Sequence, residues 1–257
     1  MSMNKNMKRI NFLDCPMDVS TMKETVDHIE NRIRQKIFTQ HVVVNVAKLV
    51  NMRKDTVLRD SVETCDIINI DGMGVVLGAR FLGHQIPERV AGVDLFHQLL
   101  AMCNKNDFSV FLLGATDDVV AKTSEVAQQH YPGISIVGHH HGYFWDDEAA
   151  MVEKIRKSGA QLLFVAITSP NKENFINRWR EQLGVDFVMG VGGTFDVVAG
   201  KVKRAPKWMQ QYGLEWLYRV FQEPGRMWKR YLTTNLKFAM LLIKEKLKRI
   251  LGKVKSA

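Results

Sequence analysis

The residues best suited to chemistry lie where short apolar runs end. Gly190-Val191-Gly192-Gly193-Thr194-Phe195-Asp196 joins three glycines to one acid. Free backbone amides there can hold an anion, and Asp196 can bind a sugar or ribose hydroxyl. Asp71-Gly72-Met73-Gly74 sets a second carboxylate beside backbone that a ligand can approach closely. It reads equally as a general base or as a helix cap at a strand–helix junction. In Pro87-Glu88-Arg89-Val90-Ala91-Gly92-Val93-Asp94, Arg89 offers a forked grip on phosphate ahead of a helix N-terminus. A surface ion pair of Arg89 with Glu88 or Asp94 is the plainer reading.

Three further loops carry weaker signals. Leu113-Gly114-Ala115-Thr116 resembles a phosphate-binding turn but lacks the full GxGxxG spacing, and ordinary strand–helix packing is the favoured reading. His139-His140-His141 suggests a metal, yet alternation along an extended chain lets only His139 and His141 share a ligand, so a solvated loop is expected. Tyr143, just beyond, is an aromatic that can stack on a base or fill a core. Ser169-Pro170-Asn171-Lys172-Glu173 opens a helix, with Lys172 either neutralising a phosphate or pointing to solvent.

The elements that must position these loops alternate in type. Strands are expected at His41–Val46, Cys65–Ile70, Ser109–Leu113, Ser135–Val137, Leu162–Ile167 and Asp186–Met189. Helices are expected between them at Lys48–Glu63, Val93–Asn104, Asp117–Tyr131, Asp146–Lys157 and Asn171–Leu183. Continuous Val/Ile/Leu runs separated by helices predict an α/β fold with a mostly parallel, Rossmann-like sheet, whose ligands sit beyond the carboxyl ends of the strands.

Charge divides the chain. Residues 201–257 hold 15 Lys+Arg and 3 Asp+Glu, which leaves 21 against 24 in the rest of a chain totalling 36 and 27. A mildly acidic body therefore carries a tail of net +12 with interleaved tryptophans, and Leu232–Leu251 reads as a basic amphipathic helix. The boundary is expected near residue 201: a catalytic domain over 1–200 and a helical appendage over 201–257. Three scattered cysteines and no apolar run of about 20 residues predict a cytosolic protein without a disulfide framework or a membrane span. A nucleic-acid binder is disfavoured because the tail has no helix-turn-helix or RRM signature, and a nicotinamide enzyme by the missing GxGxxG. A membrane-associated nucleotide-sugar binder without catalysis is the alternative to an enzyme.

Taken in order, DGMG (71–74), ERVAGVDL (88–95), GYF (142–144), SPNKE (169–173), GVGGTFDVVAGKVKRAP (190–206) and GLEWLYRVFQEPGRMWKRY (213–231) resemble the WecG/TagA/CpsF glycosyltransferase family. The likeness spans about residues 12–231, and its last two motifs are very specific as a pair. It implies inverting transfer of a sugar, of N-acetylmannosamine, N-acetylmannosaminuronate or glucuronate type, from a UDP-sugar to a polyprenyl-diphosphate-linked saccharide in bacterial surface-polysaccharide synthesis. It assigns Asp71 as base and Arg89 as a catalytic cation. Asn45, Tyr143 (beside uracil), Lys172, Gly192, Gly193, Asp196, Arg204, Arg219, Arg226 and Lys229 become substrate-binding residues. It places the protein peripherally on the inner face of the plasma membrane, against anionic lipid, with a homo-oligomer possible. No metal is expected, since no DxD motif ends a strand and the appendage supplies cations for the leaving diphosphate. Two positions depart from the family: Lys172 stands where members often carry glutamine, and Val43 where some carry a hydroxyl residue.

Overall fold

A computed structural model of the chain describes residues 7–254. The chain begins with a hairpin, β1 (Lys8–Phe12) and β2 (Cys15–Val19), whose turn residues Leu13 and Asp14 have φ of 52° and 61°. That left-handed pair is the turn geometry that follows strand twist. Helix α1 (Met22–Arg34) starts at a reciprocal capping box between Thr21 and Glu24. Neither the hairpin nor α1 was among the expected elements.

Six strands follow: β3 (Thr39–Val44), β4 (Ile67–Ile70), β5 (Ser109–Gly114), β6 (Ser135–His140), β7 (Leu162–Ala166) and β8 (Phe187–Gly190). They form one parallel sheet in the order β4-β3-β8-β7-β5-β6. Strands β4, β7 and β8 are buried along their whole length, as continuous apolar runs require when helices cover both faces. The expected mixed fold with a Rossmann-like parallel sheet is what the chain adopts.

Between and after the strands lie α2 (Val46–Met52), α3 (Thr56–Glu63), α4 (Met73–Phe81), α5 (Gly92–Asn106), α6 (Asp117–His130), α7 (Glu148–Ser158), α8 (Asn171–Trp179) and α9 (Thr194–Val198). One core cluster joins α1, α5, α6 and α9 to one face of the sheet, and two others join the hairpin and α2, α3, α4, α7 and α8 to the opposite face. After β3 the chain turns to the α2 face, and after its neighbour β8 to the α9 face. The crevice between them is therefore a topological switch point, where such sheets bind ligands.

Two local expectations change. The helix expected over Lys48–Glu63 is two helices, because Asp55 caps a new one through its side chain on Leu58 N at 2.9 Å. His139 and His140 belong to edge strand β6, not to a loop.

The tail forms α10 (Lys207–Gln211), α11 (Glu215–Gln222) and α12 (Pro224–Val254), with Pro224 at the first helical position where its missing N–H costs nothing. α12 begins eight residues before the expected start at Leu232 and lies across α2. Its Phe238 is buried among Phe12, Val75 and Ala79 of the body. The opposite side of α12 leaves Leu232, Leu236, Met240, Ile243, Leu247 and Ile250 exposed.

Candidate functional site

The carboxyl ends of β4 and β3 gather the first group of side chains. Asp71 follows β4 directly. It does not cap α4, whose N-cap is Gly72 with no side-chain bond. Its Oδ1 instead accepts from Gly92 N at 3.3 Å, at the first residue of α5. The carboxylate thus caps the first amide of α5 instead of α4. Burial pushes the Asp71 carboxyl above its usual range; Arg89, the Gly92 amide and Arg219 pull the other way, and Glu215 adds to the rise. A carboxyl held up in this way is a stronger base than an exposed one.

Arg89 pairs with neither of the partners expected for it. Its Nη1 donates to Glu215 Oε2 at 3.1 Å, bringing the first residue of α11 onto the body. Glu88 instead accepts from Met22 N at 2.8 Å, and Asp94 takes a two-pronged grip from Arg204 at 2.5 and 2.8 Å. Arg204 Nε lies 3.7 Å from Glu215 Oε1, too far for a hydrogen bond. Arg219, one α11 turn beyond Glu215, is exposed and acts on Asp71 through its field. The structure thus brings together Asp71, Arg89, Arg204 and Arg219, with Asp94 and Glu215 among them.

Asn45 sits beside this group. A Cβ on Gly72 would lie 3.4 Å from that of Asn45, and the Asn45 side chain caps α2 by accepting from Lys48 N at 3.0 Å. The glycines after β8 have separate duties. A Cβ on Gly190 would strike the Lys172 side chain at 2.9 Å, so this glycine serves packing. Gly192 has φ of 55° and open space around it, and Gly193 is exposed with Asp196 Oδ2 3.9 Å from the position a Cβ would take. These two are the pair that leaves backbone open to a ligand.

Lys172 is buried, not solvated. Its Nζ and that of Lys48 both lie 2.7 Å from Glu173 Oε1, and Lys48 also donates to Val43 O at 2.8 Å. Burial, then repulsion from Lys48, lowers Lys172 to about 8, while the two lysines outweigh burial and hold Glu173 at about 2. Two lysines against one glutamate leave a buried charge of +1 beneath the β3–β8 crevice.

Tyr143 stands apart. It is 69% exposed on the loop after β6, where Gly142 N donates to Ala115 O at 2.9 Å. In the sheet order β5 is four places from β4, roughly 19 Å at ordinary strand spacing. Tyr143 therefore lies far along the carboxyl end of the sheet from the charged group at β4. Among the described residues, no group of three His, Cys, Asp or Glu side chains is placed to hold a metal ion.

Lys229 is exposed, its Nζ 5.9 Å from the centre of the Trp228 ring, and the Arg226 side chain lies outside the described residues. Between α11 and α12 runs a mostly apolar groove of about 390 Å³ lined by Trp216, Val220, Trp228, Tyr231, Leu232, Asn235 and Leu236.

Sequence reasoning missed Glu215, Lys48 and Glu173. Glu215 stood inside a quoted motif that was read for its cations and aromatics. Lys48 is the lysine in Val46-Ala47-Lys48-Leu49-Val50, and apolar neighbours on both sides were the signal for a buried cation.

Comparison with known proteins agrees over nearly the whole chain. The model of the Glycosyl transferase WecG/TagA/CpsF family matches residues 10–251. The N-acetylglucosaminyldiphosphoundecaprenol N-acetyl-beta-D-mannosaminyltransferase of Bacillus subtilis is 35% identical over 227 residues, 88% of each chain. The protein of the same name from Bacillus spizizenii is 34% identical over 234 residues, 89% of this chain and 87% of that one.

Proposed function

This chain belongs to the WecG/TagA/CpsF family of glycosyltransferases, and from that premise we propose that it moves an N-acetylmannosamine-type sugar from a UDP-sugar to a polyprenyl-diphosphate-linked saccharide. The acceptor follows the relatives' names, which specify N-acetylglucosaminyldiphosphoundecaprenol. The observation that carries the proposal is Asp71: a partly buried carboxyl of raised pKa, in the field of arginines from both the body and the appendage.

In this reading Asp71 takes the proton of the acceptor hydroxyl as that oxygen attacks the anomeric carbon from the face opposite UDP, inverting it. The bond to the diphosphate breaks, and the charge left on UDP is met by arginines without a metal ion. Gly192, Gly193 and Asp196 hold the nucleotide, Tyr143 stacks on its base, and Arg219, Arg226 and Lys229 complete the site from residues 201–257. Asn45 and Lys172 line or support the sugar end.

The exposed stripe of α12, flanked by lysines, suits an anionic bilayer surface where the lipid acceptor resides. No helix among the described residues is long and apolar enough to cross a membrane. The groove between α11 and α12 is apolar enough to take the first isoprene units.

The test is incubation with a panel of UDP-sugars and a short-chain polyprenyl-diphosphate-N-acetylglucosamine, with products read by mass spectrometry. Transfer from UDP-N-acetylmannosamine with inversion is expected. Binding of UDP-sugar without transfer to any acceptor would favour a sensor over an enzyme.

A further inference from the structure

Glu215 occupies a position that its own geometry does not satisfy. It reaches Arg89 at 3.1 Å but stops 3.7 Å from Arg204 Nε, and that buried N–H has no acceptor. Buried donors of this kind are rare in folded proteins and call for a partner. By contrast, the other prongs of Arg204 are held by Asp94 at 2.5 and 2.8 Å, so Asp94 is a fixed partner and Glu215 a loose one.

Charge balance points the same way. Arg89, Arg204 and Arg219 face Asp71, Asp94 and Glu215, so the cluster is neutral when all six are ionised. It attracts a diphosphate only after one carboxylate leaves. Of the two carboxylates that pair with these arginines, Glu215 has the looser hold and Asp94 the tighter. No residue of α11 is buried; it packs along α12, with a Trp216–Tyr231 ring contact at 5.7 Å, is tied to the body through the Glu215–Arg89 contact, and its Gln222 bonds Lys203 O at 3.0 Å. Elements so sparsely buried open at low free-energy cost.

We infer that Glu215 is a placeholder for a diphosphate: the ligand's oxygens take the seat between Arg89 and Arg204, supply the acceptor that Arg204 Nε lacks, and turn the Glu215 side chain aside while Arg219 of the same helix stays over the site. This rests on the transferase reading and adds to it. The appendage then changes its hold on the body when the diphosphate arrives, whether that group comes from the nucleotide or from the lipid. A tetrahedral anion with several oxygens spans both arginines, which a single carboxylate here does not.

The test measures binding of UDP and of farnesyl diphosphate to the full-length protein by calorimetry, for the wild type, Glu215→Gln and Glu215→Asp. Glu215→Gln should bind at least one of them about tenfold more tightly, because its neutral amide competes less for the arginines. Glu215→Asp, which keeps the charge but draws it back by one methylene, should gain less than Glu215→Gln and serves as the folding control. The ligand showing the larger gain identifies whose diphosphate takes the seat. Unchanged or weaker binding of both ligands by Glu215→Gln overturns the inference and makes Glu215 a strut that orients the arginines. If the wild type binds neither ligand, the transferase reading fails with it.

Discussion

The sheet edge carries one carboxylate between two cations twice, and the two copies behave differently. Glu173 lies between Lys48 and Lys172, all three buried beneath the crevice and all supplied by α2 and α8. Glu215 lies between Arg89 and Arg204, partly open to solvent, and joins a body loop to the tail. In the sealed copy, water cannot replace a lost partner, so each group depends on the others. In the open copy, solvent or a ligand can replace one, so the carboxylate is exchangeable. Burial, more than charge, separates the cluster that builds the site from the cluster that works in it.

The contrast can be broken from either side. Asp71→Asn in the open cluster should lower kcat by about 10²–10⁴-fold while leaving the urea unfolding midpoint essentially in place. Turnover near the wild-type rate, with the fold intact, would remove Asp71 as the base. Glu173→Gln in the sealed cluster should do the reverse, costing about 3–5 kcal/mol of unfolding free energy by stranding two lysines. A cost below about 1 kcal/mol, the range of exposed pairs, would show that the cluster is not sealed.

A smaller effect is expected from Arg89→Met. Burial raises the Asp71 carboxyl and Arg89 restrains it, so removing Arg89 should move the acid limb of the kcat profile to higher pH. An unmoved limb would mean that Arg89 does not act on the base. The smallest change should come from Lys172→Met, which leaves the Lys48–Glu173 pair whole: about 1 kcal/mol or less, of either sign, at pH 7. With Lys172 lowered to about 8, the folded chain sheds this proton before the unfolded chain does. Stability from this group therefore rises with pH from about 8 towards the ordinary lysine value, and that rise should vanish in the variant. Urea midpoints between pH 7 and 9 decide it.

Much of this arrangement was legible in residue order. The six apolar runs gave the parallel sheet, because strands covered on both faces need no polar alternation. The hairpin was not, since Lys8–Phe12 and Cys15–Val19 are short, mixed in polarity and joined by Leu13-Asp14, where the usual glycine or asparagine turn signal is missing. At the site, Asp71 stood out by the glycines after it and Arg89 by its place ahead of a helix N-terminus. Glu215 did not, because its role comes from contacts across 126 and 11 residues with Arg89 and Arg204, and no local pattern encodes those. The glycines after β8 were read as one anion grip. Gly190 turned out to be shaped by Lys172, a buried neighbour 18 residues earlier.

Phe238 has a consequence for dissecting the molecule. A Cβ on Gly78 would lie 2.8 Å from its ring, and Leu242 follows at 3.1 Å, so α4 keeps a glycine to admit the long helix. Cutting the chain at residue 201 removes Phe238 and leaves an unfilled apolar cleft among Phe12, Val75 and Ala79. Such a fragment would lose solubility along with any tail function, and the two losses would look alike. The informative separation keeps α12 seated and alters α11, the segment that touches the chemistry without belonging to the core.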